Sequence, residues 1–261
     1  MNATYLAVAA EAARRAGKLQ RERLWTDHDI RYKGEIDLVT EVDEACEELI
    51  VATIRAAFPD HDILAEEQTR ETGTSRYRWI VDPLDGTTNY AHGFPWFCVS
   101  IALEIDGEMA VGVVYQPVMD ELFSAVKGEG AFVNGRPIHV SSRAPLNQCL
   151  LATGFPYDRT RGNENNIDNF YCFQFAARAV RRAGAAALDL ACVAAGRLDG
   201  YWELKLKPWD VAAGCLLVTE AGGRVTTHNG DPFSVSEHRI LASNGLIHDE
   251  MLAVLAAGGT R

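Results

Sequence analysis

The stretch WIVDPLDGTTNY, Trp79 to Tyr90, sets the strongest limit on how this chain folds. Trp79, Ile80 and Val81 make the bulky apolar end of a buried strand, and two carboxylates, Asp82 and Asp85, follow with only Pro83 and Leu84 between them. Carboxylates crowded together force protonation on one another unless positive charge offsets them. The pair is tolerable at a strand end if it holds metal. Pro83 stiffens the turn, and Gly86 removes a side chain so that backbone can approach a ligand. Thr87 and Thr88 then open a helical turn whose N–H groups suit an anion such as phosphate. Acid, turn and anion site together point to phosphoryl chemistry.

Other acids fall at comparable places. Glu66 and Glu67 close the apolar segment DILA, and Asp210 follows Pro208 and Trp209 at the start of a helix. If Glu66, Asp82, Asp85 and Asp210 converge, four negative charges share one pocket, and two Mg²⁺ cancel them. An all-oxygen donor set favours Mg²⁺ or Mn²⁺ over Zn²⁺. Taken singly, each acid has a plainer reading: Asp210 as an N-cap, Glu66–Glu67 as a solvated strand end, Asp43 as a capping-box acid. The run from Asp82 to Thr88 resists that treatment, because a turn needs at most one or two of those residues.

The rest of the chain supplies the frame. Its 261 residues are 48% hydrophobic, enough for a sizeable core. Periodicity predicts helices at Tyr5–Leu24 and after Thr40, the latter with Thr40 as N-cap and Asp43 completing a capping box. Short strands follow at DILA and RYRWIVD. From Phe97 to Val140, turn signals at Asp106-Gly107, Lys127-Gly128 and Asn134-Gly135 predict an antiparallel meander. Beyond Cys149 strands and helices alternate: strand Leu150–Thr153, helix Glu164–Ala177, strand Ala179–Arg182, helix Ala185–Ala195, strand Gly200–Leu204, helix Pro208–Ala221, two short strands and a helix Leu246–Ala256. The expected class is layered α/β, with two sheets between helices. It forms a single domain over 1–261, with a meander half (1–145) and an alternating half (146–261). The polar stretch from Tyr157 to Asn169 is the expected specificity loop.

The formal net charge of −11 argues against nucleic acid or an anionic membrane as partner, since both reward clustered Lys and Arg. Six scattered cysteines without a CxxC read as buried free thiols in a reducing compartment. The first twenty residues carry Glu11, Arg14, Arg15 and Lys18 and make a poor signal peptide. With no apolar run of about 18 residues to span a bilayer, a cytoplasmic protein is the expectation.

WIVDPLDGTTNYAHGFP and PWDVAAGCLLVTEAGG resemble the two signatures of the inositol monophosphatase family. AEE resembles its acidic pair, DLVTEVD its N-terminal segment, and RRAGAAALDLACVAAGRLDGYWE the region before the second signature. The order is the family's, over essentially the whole chain. The resemblance implies a five-layered αβαβα sandwich, usually a homodimer, that hydrolyses a phosphomonoester with Mg²⁺, is inhibited by Li⁺, and forms no phosphoenzyme. It implies that Glu66, Asp82, Asp85 and the Leu84 carbonyl bind the first two ions, that Asp210 completes the second, and that Asp43 helps hold a weaker third through water. It assigns activation of the attacking water to Thr87 with Glu66, assisted by Asp43 and Thr40. Glu67 orients its neighbour.

On the substrate side the resemblance implies phosphate contacts from Leu84, Asp85, Gly86, Thr87 and Thr88, with Asp210 nearby. Gly184, Ala185 and Ala186 line the alcohol, and Glu203, seven residues before Asp210, bonds its hydroxyls. Ala185 departs from the hydroxyl residue often found there, which removes one contact. Inositol 1-phosphate is the first expectation. Fructose 1,6-bisphosphate stands as the alternative, its second phosphate meeting Arg159, Arg161, Arg181 or Arg182, and histidinol phosphate as another. A non-enzymatic binding partner in an assembly is the reading of a different class, which loss of a metal ligand would signal.

Overall fold

Side-chain alternation decides which layer each strand faces. The computed structural model describes residues 2–26, 28–32, 38–70, 73–160 and 164–258. The elements in order are α1 (Asn2–Arg23), β1 (Ile30–Tyr32), β2 (Leu38–Thr40), α2 (Glu41–Ala57), β3 (Asp62–Ala65), β4 (Tyr77–Asp85), α3 (Thr87–Ala91), β5 (Cys98–Ile105), β6 (Glu108–Gln116), β7 (Glu121–Val126), β8 (Gly130–Val133) and β9 (Arg136–Ile138). There follow β10 (Leu150–Thr153), α4 (Ile167–Ala176), β11 (Ala179–Arg181), α5 (Ala186–Ala194), β12 (Gly200–Leu204), α6 (Pro208–Glu220), β13 (Arg224–Thr226), β14 (Arg239–Ser243) and α7 (His248–Gly258).

Strands β3 to β9 form a seven-stranded sheet in chain order, parallel only at β3–β4. A five-stranded sheet runs β11-β10-β12-β14-β13, parallel across its first three strands. Along β4 to β6, Trp79, Val81, Val99, Ile101, Val111 and Val113 pack with α1 and α2, while Ile80, Cys98, Ala102 and Val114 pack with α5 and α6. The second sheet repeats the rule: Ala152, Tyr201 and Ala242 face α5 and α6, and Leu151, Trp202 and Leu241 face Phe173, Met251 and Leu255 of α4 and α7. Period-two alternation in two sheets yields five layers, αβαβα. The middle core joins residues from both halves of the chain.

The expected turns form where Asp106-Gly107 and Asn134-Gly135 place both residues at positive φ, the two-residue hairpin geometry. Three details differ from the sequence reading. The helix expected from Glu164 begins at Ile167, because Asn166 adopts φ +67° and spends its side chain on Thr153, Gly154 and Trp202. The last helix begins at His248, because Asn244 Oδ1 ties the Leu246 and Ile247 amides into a preceding turn. Leu38–Thr40, for which the sequence predicts no strand, pairs with Ile30–Tyr32 as a two-stranded ribbon.

Two buried side chains of the first helical layer fix the loops that carry the acids. Gln20 of α1 is fully buried and donates from Nε2 to the Pro83 carbonyl at 2.7 Å, holding the turn between Asp82 and Asp85. Glu47 of α2, 2% exposed, accepts the backbone N–H groups of Glu67, Gln68 and Thr69 at 2.8, 2.9 and 2.7 Å, pinning the turn that follows Glu66. Hydrogen bonds to a charged acceptor contribute about 1.5–3 kcal/mol. Glu47→Ala should therefore lower unfolding free energy by at least about that amount in urea titrations.

A second prediction concerns acid. His248 is buried, with Nε2 2.9 Å from Thr226 Oγ1 and Nδ1 2.8 Å from Ser243 Oγ. Burial pushes its pKa down from 6.5 to about 4. The unfolded chain therefore takes the proton first, and the stability tied to neutral His248 is complete above pH 6.5 and lost as pH falls to about 4. The His248 contribution is read as a difference: the gap in urea midpoint between the unsubstituted protein and His248→Gln should narrow as pH falls from 6.5 to about 4.

Candidate functional site

The end of β4 does not continue its ladder. Asp82 pairs with Ser100 and Asp85 with Cys98, so three steps on β4 face two on β5, a bulge. Pro83, with no N–H to lose, sits inside it. The Leu84 amide donates to Asp82 Oδ1 at 3.0 Å and closes the turn. Asp85 Oδ2 accepts from the Ala187 amide in the first turn of α5 at 2.7 Å. Gly86 then takes φ +96°, and a Cβ there would stand 3.0 Å from the Trp96 carbonyl, so glycine is required on two counts. Thr87 and Thr88 open the short helix α3.

Asp82, Leu84, Asp85, Gly86 and Thr87 of this segment line a cavity of about 790 Å³. Glu66 arrives from the end of β3, Asp210 from the first turn of α6 and Glu203 from β12. Lys207 N–H donates to Asp210 Oδ2 at 2.6 Å. Burial first, then Glu66, Asp85 and Asp210, hold the Asp82 carboxyl well above its usual range. Asp210 is raised by burial and then by Glu66 and Asp85, and burial lifts Asp85 to about 7. No Lys or Arg side-chain charge is among the main groups acting on these three acids; Lys207 acts on Asp210 only through its backbone N–H.

Behind this wall Thr87 Oγ1 lies 2.9 Å from Asp43 Oδ1 and 3.1 Å from the Leu84 carbonyl. Asp43 is fully buried, and its Oδ2 accepts from Thr40 N at 2.9 Å and Thr40 Oγ1 at 2.5 Å. Burial raises the Asp43 pKa to about 6. On the opposite wall burial raises Glu203 to about 7, while the Tyr201 hydroxyl and Arg182 draw it back. The Glu203 carboxylate packs directly on Gly154, where any Cβ would collide with it.

The structure thus brings together Glu66, Asp82, Leu84, Asp85, Gly86, Thr87, Gly184, Ala185, Ala186, Glu203 and Asp210 around one space, with Glu67 on its edge. Thr40, Asp43 and Thr88 stand off the cavity, the first two reaching it only through Thr87. Of the arginines considered for a second phosphate, Arg182 lines the cavity, Arg159 and Arg181 do not, and Arg161 lies outside the described residues. The sequence reading passed over Gln20, Glu47 and Asp189. Gln20 was detectable as a polar residue on the apolar stripe of α1. Asp189 is 2% exposed, lines the cavity from α5 and is raised well above its usual range by burial.

Four carboxylates, Asp82 and Asp85 buried and Glu66 and Asp210 half-buried, with main-chain oxygen beside them suit hard divalent cations. They share the cavity without a closed cage: no three His, Cys, Asp or Glu side chains among the described residues stand close enough to bind one ion as placed. Among the described residues no helix is long and apolar enough to cross a membrane.

Comparison with known proteins shows the family and the fold. The profile of the inositol monophosphatase family matches residues 1–258. An inositol-1-monophosphatase of Synechocystis is 48% identical over 97% of this chain and 89% of its own. The Nus factor SuhB of Salmonella typhimurium is 43% identical over 95% of this chain and 94% of its own. The solved inositol monophosphatase of Anabaena (Nostoc) superposes with a TM-score of 0.89 at 46% identity, covering 97% of this chain and 96% of that one. Phosphatases of this kind act on small phosphomonoesters and depend on metal, generally Mg²⁺. The chain, whose acids meet in one cavity between two sheets, therefore belongs to the inositol monophosphatase family and is a phosphatase.

Proposed function

We propose that the cavity hydrolyses inositol 1-phosphate to inositol and phosphate by direct attack of water. One observation supports this reading: strand ends and a helix start from both halves of the chain bring Glu66, Asp82, Asp85 and Asp210 to the same cavity as a further carboxyl, Glu203, which we read as the acceptor for substrate hydroxyls. Glu66, Asp82, Asp85, Asp210 and the Leu84 carbonyl would hold Mg²⁺, with Mn²⁺ able to replace it. When bound, the metal lowers the pKa of water and offsets charge on the phosphoryl group.

The remaining roles belong to the chain. Thr87 has one hydroxyl proton and two acceptors, Asp43 Oδ1 and the Leu84 carbonyl. With that proton committed, its oxygen faces the attacking water as an acceptor, and Glu66 takes the proton that water loses. Thr40 fixes Asp43 from behind, so it orients Thr87 without meeting substrate. The Gly86 and Thr87 amides serve the phosphate oxygens. Gly184, Ala185 and Ala186 form the alcohol wall, and Glu203 accepts from inositol hydroxyls.

The active form is a homodimer in the cytoplasm, the latter supported by six free thiols, none of them paired. Sedimentation equilibrium gives the mass that checks the dimer. A second reading, as a partner in a larger assembly, takes its support from the relative named as a Nus factor. Loss of a candidate metal ligand would favour it, and every one is present.

Metal removal tests the first claim. A chelated sample should lose hydrolysis of inositol 1-phosphate and regain it with Mg²⁺, with a rise in melting temperature as the buried acids gain a counter-charge. Asp85→Asn should fold yet show neither effect; a full rate in the chelated sample overturns the reading. Substrate choice is tested at Glu203. Loss of a charged hydrogen-bond partner costs about 1.5–3 kcal/mol, so Glu203→Gln should lower kcat/KM for inositol 1-phosphate roughly 10- to 150-fold. p-Nitrophenyl phosphate, with no alcohol hydroxyls to offer, should suffer far less.

A further inference from the structure

Two residues beyond Thr87, helix α3 carries a side chain that the reaction does not use and that does not line the cavity. Asn89 Nδ2 donates to the Trp96 carbonyl at 2.7 Å and to the Ala183 carbonyl at 2.8 Å. A carboxamide nitrogen has two hydrogens, so both bonds form at once, and the Gly184 carbonyl at 3.4 Å is a longer, secondary contact of the same nitrogen. Trp96 belongs to the loop between α3 and β5. Ala183 lies 94 residues beyond Asn89, between β11 and α5. A single side chain therefore fastens the turn on the phosphate side to the segment that becomes the alcohol wall.

The surroundings leave that fastening little slack. A Cβ at Gly86 would stand 3.0 Å from the Trp96 carbonyl and 3.3 Å from Ala185 Cβ, so the three segments meet at close range. Gly184 holds φ +90°, and a Cβ there would stand 3.3 Å from Asn89 Nδ2. Three residues on, the Ala187 amide reaches Asp85. The spacing between phosphate turn and alcohol wall is thus set at Asn89 on one side and at Asp85 on the other.

We propose that Asn89 is a positioning residue for substrate selection: its two hydrogen bonds set the separation between the Gly86–Thr87 turn and the Gly184–Ala186 segment. This rests on reading that segment as the alcohol wall. The amide is required as a donor to two carbonyls and not as filler. Aspartate has the same shape but turns oxygen toward both carbonyls, so it repels where asparagine binds.

The test compares inositol 1-phosphate with p-nitrophenyl phosphate on the same preparations at saturating Mg²⁺. Asn89→Ala should raise KM for inositol 1-phosphate about 10- to 30-fold, the size expected from two lost hydrogen bonds, with a much smaller change in kcat. The kcat/KM for p-nitrophenyl phosphate should fall no more than about threefold, since only the alcohol wall is displaced. Asn89→Asp should be worse than Asn89→Ala for inositol 1-phosphate. If Asn89→Ala does not fold, Asn89→Ser is read by the same comparison. An aspartate variant milder than the alanine, or a parallel fall with both substrates, overturns the proposal and leaves Asn89 a structural tie. Glu203→Gln separates the two levels. If it shifts the substrate ratio and the Asn89 variants do not, only this inference fails. If it leaves the ratio unchanged, the alcohol-wall reading fails and takes the inference with it.

Discussion

Like charges buried together are the constraint on which this molecule is organised. Asp82, Asp85 and Asp210 lie at the junction of two sheets, each raised by burial and by its neighbours. Such a cluster exerts an outward force on whatever carries it. The surrounding scaffold resists from several directions. Gln20 grips the bulge from the first helical layer, Glu47 gathers the loop behind Glu66, and the first turn of α5 presents the Ala187 amide to Asp85. Each anchor is a buried polar contact, and each is made to backbone or by backbone. The loops are therefore fixed as main chain, independently of which ion or substrate occupies the cavity.

The layering makes those anchors possible. A strand that alternates strictly presents a helix-facing residue and an interior-facing residue in turn. Its neighbours on both sides can then send polar groups to its end. The bulge at Pro83 breaks the alternation at the one place where two carboxylates must serve the same space. In an unbroken strand, positions three apart point to opposite faces.

Much of this was legible in the sequence, for identifiable reasons. Strand and helix periods gave the layers, the Asp106-Gly107 and Asn134-Gly135 pairs gave the hairpins, and the Thr40–Asp43 spacing gave the capping box that forms. The acids stood out because each interrupts an apolar run. What escaped reading was long-range. Nothing local marks Glu47 as the acceptor of three amides some twenty residues away, because a helical glutamate ordinarily faces water. The same holds for Asn166, whose side chain bridges Thr153 and Trp202 as well as meeting Asn169 of its own helix. The placement of Asp43 behind Thr87 is likewise a tertiary fact: the capping box fixes one carboxylate oxygen, and only the packed fold brings Thr87 to the other.

The middle layer carries a consequence of its own. Helices α5 and α6 lie between the sheets and touch through small residues: a Cβ at Gly214 would overlap Leu190, and one at Gly112 on β6 would stand 2.9 Å from the Ala213 carbonyl. These glycines act as shims. Asp82 and Asp85 hang from one sheet and Glu203 from the other, so the width of the cavity follows the thickness of this filling. A methyl group added at either glycine, with no cavity-lining residue replaced, would press the two walls apart and alter the space between them.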